Sequence, residues 1–289
     1  MKVDARHTPI APRHRRGGWH LRVLLALAWV PRLAAQSEPQ GGCAPPSYAP
    51  RLDHVVLVVR NLDSTAAAFS SAGFLLKPGR LHPGNLLNSH IKFRNGTEIE
   101  LMTLTGPPLD QMARDYAGLL QAGEGGAYVA LKTAALHAVA ARARQAGLTS
   151  VRSQSGAFRF LSFAPGSDAG ALFFGYGWEL PPEPDSIVAH PNQVIRLAEV
   201  WVEGGPRLRA MLQALLGASC GQAHGPDGVV GERWRLGAGS VVVVSKAATN
   251  PVPRPLGAVL TSAARGARER LIRPVPNFWL RLVPIGAAN

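Results

Sequence analysis

From Arg51 onward, hydrophobic positions follow two alternating rhythms. "LDHVVLVVRNLDSTAAAFSSAGF", residues 52–74, opens with an apolar run of strand length. After a short polar break it continues into an alanine-rich stretch that stops at Ala72-Gly73. Alanine favours helix, and glycine suits the left-handed position after a helix's last turn. Asp63 is the expected N-cap. "GAYVALKTAALHAVAARARQAGL", residues 126–148, repeats the pattern without a gap at an offset of 74, so that Val55 falls on Val129 and Ala72-Gly73 on Ala146-Gly147. A looser third copy runs over residues 194–219.

Strand-like runs follow each helix. They cover 74–77, 89–94 and 98–104 in the first copy, with Asn95-Gly96-Thr97 as a hairpin turn. In the second copy they cover 150–153, 158–164 and 171–180, and in the third 232–236 and 240–245. A compressed fourth copy reads as strand "PLGAVLTSA", helix "ARGARERLI" and strand "FWLRLVP". The fold class is therefore α+β, built of repeated β-α-β-β-β units. The Pro-rich stretch 181–193 is a linker between 51–180 and a second, degenerate pair of units over 194–287.

The remaining segments change the picture little. Residues 1–35 carry a basic stretch, a short apolar run over 21–30 and small residues near Ala35. That is the pattern of a signal peptide, with a basic N-terminal extension as the alternative. The implied location is exported, periplasmic or secreted; without cleavage it is cytoplasmic. The apolar run is shorter than the ~20 residues of a stable membrane span. Residues 36–50 are a Pro/Gly/Ser-rich linker. The formal charge of +13 is scattered, without a dense basic run or interleaved aromatics, so no nucleic-acid partner is expected. Two cysteines, Cys43 and Cys220, make neither a disulfide framework nor a zinc site. No phosphate-binding loop, dinucleotide fingerprint or nucleophile elbow is present.

Repeated β-α-β-β-β units opened by "LDHVVLVVRNLD", followed by "RLHPGNLLNSHIKFRNGTEIELM" at 80–102 and "HPN" at 190–192, resemble the vicinal-oxygen-chelate superfamily and its glyoxalase-like domains. The resemblance implies that units pair and curl mixed sheets around a site. It also implies that the first and last strands of a unit each offer a metal ligand. In the first unit those positions match His54 and Glu100. Imidazole plus carboxylate suits one divalent metal, Zn, Ni, Fe or Mn; alternatively, Glu100 serves as a catalytic general base. In the second unit the matching positions are Tyr128 and Phe174, with Tyr176 reached by a register slip. None of these supplies the expected carboxylate, and His82 and His90 are the compensating candidates. The implied function is a metal-dependent lyase, isomerase or dioxygenase acting on a small oxygenated molecule. The alternative is a non-catalytic binder of an apolar or aromatic ligand. The partner is a small molecule, and the state a monomer or homodimer. Glu98 reads as part of a solvated strand face, His137 as surface, and His190 as a linker residue.

Overall fold

The computed structural model describes residues 43–177, 181–245, 252–264, 266 and 268–286. The signal-like segment, residues 36–42 of the linker and the expected strand end at 178–180 lie outside them.

The repeat appears as backbone. The first unit is β1 (Arg51–Val58), α1 (Leu62–Ser71), β2 (Lys77–His82), β3 (Leu86–Lys92) and β4 (Glu98–Leu104). α2 (Gln111–Gln121) joins it to the second unit, β5 (Gly125–Lys132), α3 (Leu136–Gln145), β6 (Ser150–Ser155), β7 (Phe158–Phe163) and β8 (Leu172–Tyr176). β5 and α3 begin and end 74 residues after β1 and α1. A short α4 (Asp185–Val188) lies in the linker. The third unit is β9 (Val194–Gly204), α5 (Pro206–Leu216), β10 (Gln222–His224), β11 (Val230–Arg235) and β12 (Ser240–Ser245). β13 (Pro255–Ser262), β14 (Arg270–Val275) and β15 (Phe278–Pro284) complete the order.

Two mixed sheets result. The first runs β2-β3-β4-β1-β5-β8-β7-β6 and the second β10-β11-β12-β9-β13-β15-β14. In each, the central strands of two units pair antiparallel, β1 with β5 and β9 with β13. The second sheet repeats the order of the first but stops one strand short.

Several local expectations are corrected. The N-cap of α1 is Asn61, whose side chain accepts from the Ser64 N–H at 2.9 Å. Asp63 sits in the first turn instead, where its charge complements the helix dipole. α2 is a helix the repeat pattern passed over. Asp110 caps it, accepting from the Ala113 N–H at 2.8 Å, and Ala113, Tyr116 and Leu119 form its buried side. The fourth unit has no helix at "ARGARERLI" among the described residues, because Arg270 onward is strand β14, paired antiparallel with β15. Ladder pairing outweighs the helix propensity of alanine and arginine, a weak prior that tertiary context overrides.

One core cluster runs through both sheets. Val55, Leu57 and Leu131 of the first sheet and Val200, Val202 and Leu260 of the second join Phe69 of α1, Val139 of α3 and Leu208, Met211 and Leu212 of α5. Arg254 also ties the halves together. It is buried, donating from Nε to the Gly126 carbonyl at 2.7 Å and from Nη1 to the Gly123 carbonyl at 2.9 Å. The two cysteines, read as making no disulfide framework, are bonded to each other. Their partnership spans 177 positions, too far for spacing to reveal. In the chain-entropy model a loop of that length contributes about 5 kcal/mol. His190 is likewise no free linker residue. It is buried between the rings of Phe74 and Phe93; Nδ1 accepts from the Leu75 N–H at 3.0 Å and Nε2 lies 2.9 Å from the Lys92 carbonyl.

Candidate functional site

Alternation along a strand sends successive side chains to opposite faces, so register decides what meets on the face away from the large core. β1 and β4 pair in parallel with His54 opposite Glu98 and Val56 opposite Glu100. β4 and β3 pair with His90 opposite Glu100 and Lys92 opposite Glu98. His54, Glu98, Glu100, His90 and Lys92 therefore share one face, at the floor of a cavity of about 950 Å³. Toward α2 the same face turns apolar, with Val56, Val58, Leu86 and Met102 packed against Ala113, Tyr116 and Leu119.

Each polar group is held from behind. The Asp53 carboxylate lies 2.6 Å from His54 Nδ1, and His54 Nε2 lies 3.7 Å from Glu100 Oε2. The other Glu100 oxygen accepts from Asn88 Nδ2 at 2.7 Å. Asn88 is itself fixed, because its Oδ1 accepts from the Arg80 N–H at 2.8 Å. The backbone of β2 comes so near Asn88 that a Cβ on Gly79 would fall 2.0 Å from that Oδ1. Glu98, expected on a solvated face, is buried. It pairs with Lys92, and its Oε1 lies 3.6 Å from His90 Nδ1 and 3.9 Å from His54 Nδ1.

These contacts set the charges. Burial works against a charged His54, but the Asp53 hydrogen bond and the carboxylates of Asp53, Glu98 and Glu100 outweigh it and raise the imidazole to about 9. Burial likewise disfavours a charged Glu98, yet His90, His54 and Lys92 hold its carboxyl well below the usual range. Tyr116 and Tyr128 are pushed up by burial and so keep their protons.

The second unit enters with a different register. Val129 pairs with Leu172 and Ala130 with Phe173, whereas in the first unit Val55 pairs with Ile99 and Val56 with Glu100. The second pairing is shorter by one residue, and such a slip exchanges the two faces. Phe173, not Phe174, therefore reaches the cup, 5.6 Å from the His54 ring. Phe174 is fully buried in the large core, and Tyr176 alternates with Phe173 onto the face away from the cup, half exposed. Neither lines the cavity. Tyr128 shares that face but packs edge-on to Tyr116 and Phe173 in the apolar end, and neither it nor Phe173 lines the cavity itself. His82 lines the cavity, and its buried Nε2 has no hydrogen-bond partner among the described residues. Sequence reasoning missed Asn88 and Lys92; both alternate with His90 along β3, which is the signal that places them on its face.

A family model described as a glyoxalase-like domain matches residues 52–216, more than half of the chain. The chain belongs to the glyoxalase-like domain family. It is a vicinal-oxygen-chelate fold with two halves. Among solved structures, a hypothetical protein from Staphylococcus aureus is similar over 82% of this chain and 100% of its own, with a TM-score of 0.55 and 14% identity. A mutant of 4-hydroxymandelate synthase from Streptomyces coelicolor is similar over 82% of this chain and 92% of its own, with a TM-score of 0.53 and 13% identity. At such identities these likenesses show the fold alone. No curated protein matches in sequence.

Superfamily members commonly use a divalent metal, so the donor set of this glyoxalase-like cup was tested against one. Catalytic metal sites usually draw on three protein ligands. Among the described residues, no three His, Cys, Asp or Glu side chains converge on a common point. His54 and Glu100 face each other, but the second unit brings Tyr128, Ala130 and Phe173 to their side. Glu98 already has a cation in Lys92. The residues present do not fit a resident divalent metal.

Proposed function

We propose that the first cup binds a small oxygenated molecule and moves a proton on it, in the manner of an isomerase or lyase that needs no metal. The observation that carries this reading is the facing pair His54 Nε2 and Glu100 Oε2, 3.7 Å apart on one cavity floor and held by Asp53 and Asn88. The charged imidazole donates a hydrogen bond to a substrate carbonyl oxygen. Glu100 takes a proton from the neighbouring carbon and returns it, the electron pair resting meanwhile on the oxygen that His54 stabilises. Buried, preorganised groups need no rearrangement as that charge develops. The metal-dependent reading implied by the resemblance, dioxygenase chemistry included, needs a third donor that the second unit does not offer.

A second reading, a binding protein without catalysis, is favoured by Phe173, whose ring packs 5.6 Å from that of His54 and edge-on to Tyr128 beside the polar floor. One experiment separates the two. The full chain is incubated in D2O with a panel of 2-oxoaldehydes and 2-hydroxyketones, and carbon-bound deuterium is followed by NMR beside Glu100→Gln and His54→Gln. Catalysed exchange that falls at least a hundredfold in each variant supports proton transfer. A saturable rise in Tm without exchange supports the binding reading, and neither effect overturns the cup as a ligand site.

Export belongs to the same proposal. The Cys43–Cys220 disulfide supports an oxidising compartment, in keeping with the signal-like pattern of residues 1–35. Fusing residues 1–50 to a reporter that folds only outside the cytoplasm tests it; a silent reporter would sink export by this segment.

A further inference from the structure

Two irregularities in the first sheet bring guanidinium groups into the cup. The pairing of β1 with β5 runs from Leu52 opposite Leu131 to His54 opposite Ala130, so Asp53 is an extra residue. Parity counted back from His54 would send Arg51 away from the cup; the bulge turns it in, opposite Lys132. The pairing of β2 with β3 runs from Pro78 opposite Ser89 to Leu81 opposite Leu87, again with one residue to spare. Counted from Lys77, that bulge turns in Arg80 as well. Both arginines line the cavity. Arg51 is seated there by the second half, because the Leu52 N–H donates to the Ala238 carbonyl at 2.8 Å and the Gly237 N–H to the Pro50 carbonyl at 2.9 Å. Arg80 is seated by Asn88, which accepts from its backbone N–H at 2.8 Å.

The charges around them are not balanced. Among the described residues, every carboxylate that lines the cavity is already engaged: Asp53 by His54, Glu98 by Lys92, Glu100 by Asn88, Glu183 by Lys77 at 2.6 Å and Asp185 by Arg94 at 2.8 Å. Among the same residues no carboxylate pairs with Arg51 or Arg80, and both are exposed. A cleft with surplus charge of one sign concentrates counter-ions. A guanidinium presents its donors in a fork that matches a carboxylate or a phosphate. The cavity, at about 950 Å³, has the size of sites for drug-sized ligands, with room for an anionic group beyond a carbonyl at the floor. We infer that the cup's ligand is an anion, a carbonyl compound whose carboxylate or phosphate group is held by Arg51 and Arg80 while its carbonyl lies over His54 and Glu100. The inference rests on the proton-transfer reading of the first cup and deepens it by naming the substrate class. A neutral ketone or aldehyde leaves both guanidiniums unpaired and gains none of that attraction.

The test compares matched probes on the full chain by calorimetry, at low and at physiological salt. Levulinate is set against its methyl ester, and dihydroxyacetone phosphate against dihydroxyacetone; the two pairs distinguish a carboxylate ligand from a phosphate ligand. The variants are Arg51→Gln, Arg80→Gln, the two combined, and Arg142→Gln, which removes an exposed arginine of α3 bonded to Gln145 outside the cavity. Circular dichroism and Tm report folding. The expected result is that at least one anion binds wild type and Arg142→Gln at least tenfold more tightly than its neutral partner, and that salt narrows the gap. Each single variant should lose part of the preference, and the double variant should bring it within about twofold. A preference in one pair alone supports the inference and names the anionic group. Three results would overturn it: no binding of either anion, equal binding of anion and neutral partner, or a folded double variant that keeps the preference. Calorimetry needs no turnover, and the deuterium-exchange test uses neutral carbonyl compounds, so the proton-transfer reading stands or falls separately.

Discussion

The two sheets place their strands in the same order, yet the faces they leave for a cup hold opposite chemistry. In the first sheet, β1 and β4 bring His54, Glu98 and Glu100 to a cavity floor, where Asp53, Lys92 and Asn88 respectively engage them. In the second, the corresponding parallel pair β9 and β12 sets Glu199 opposite Ser240 and Trp201 opposite Val242. Glu199 is spent internally. It accepts from Trp201 Nε1 at 2.8 Å, Ser240 Oγ at 3.0 Å and Arg233 Nε at 2.7 Å. The indoles of Trp201 and Trp279 pack edge-on at 5.6 Å, with Val242, Val259 and Val283 around them. Gly257 leaves room for them, since a Cβ there would lie 2.1 Å from the Trp279 ring. One architecture thus serves as a site or as packing. What decides is whether its inward positions carry ionisable groups facing space or large rings facing one another.

The largest expected effect breaks the packed sheet. Trp279→Ala should cost about 3–5 kcal/mol of stability in urea denaturation while leaving ligand affinity in the first cup within about twofold, an independence expected of sites that share no contacts. A stability loss under about 1 kcal/mol would mean that the indoles do not fill a core. Phe174→Ala should be nearly as costly, for the same reason. Its neighbour Phe173→Ala should instead spare stability and weaken ligand binding, because the register of β8 turns only Phe173 to the cup. The reverse outcome would refute that register.

The charged sheet should show itself in pH. His54 is raised from 6.5 to about 9, so the stability its charge confers is complete below pH 6.5 and is lost as pH rises through 9. Glu98 is lowered from 4.5, so its contribution is present above pH 4.5 and is lost on acidification. Denaturation midpoints across pH 6–10 should fall, and His54→Gln should flatten that slope; an unchanged slope would show that His54 is not the titrating group. The smallest effect is expected at Tyr176, which lies outside the cup. Tyr176→Ser should change stability by less than about 0.5 kcal/mol and leave ligand affinity unmoved. A loss of affinity would put Tyr176 back in the site.

The sequence by itself determined what is local and periodic. The strand and helix rhythms, the glycine stops and the 74-residue offset from β1 and α1 to β5 and α3 need only neighbouring residues to be read. His54 and Glu100 came from the resemblance to the vicinal-oxygen-chelate superfamily, and strand alternation agrees with it by fixing which positions share a face. What faces that face is a tertiary matter. Glu98 looks solvated when its strand is read alone, and becomes buried only when Lys92 and His90 arrive on β3. Phe174 matches Glu100 by offset, but the pairing of β5 with β8 is one residue shorter, and parity sends it into the core. The α2 signal, Asp110 followed by Ala113, Tyr116 and Leu119, was legible at helical spacing, although a repeat-led reading passes over an insertion between copies. The helix expected at "ARGARERLI" lost to pairing along β15, because ladder hydrogen bonds and burial outweigh propensity. The Cys43–Cys220 bond and the clamp of His190 join residues far apart in the chain, and only the folded backbone brings such partners within bonding distance.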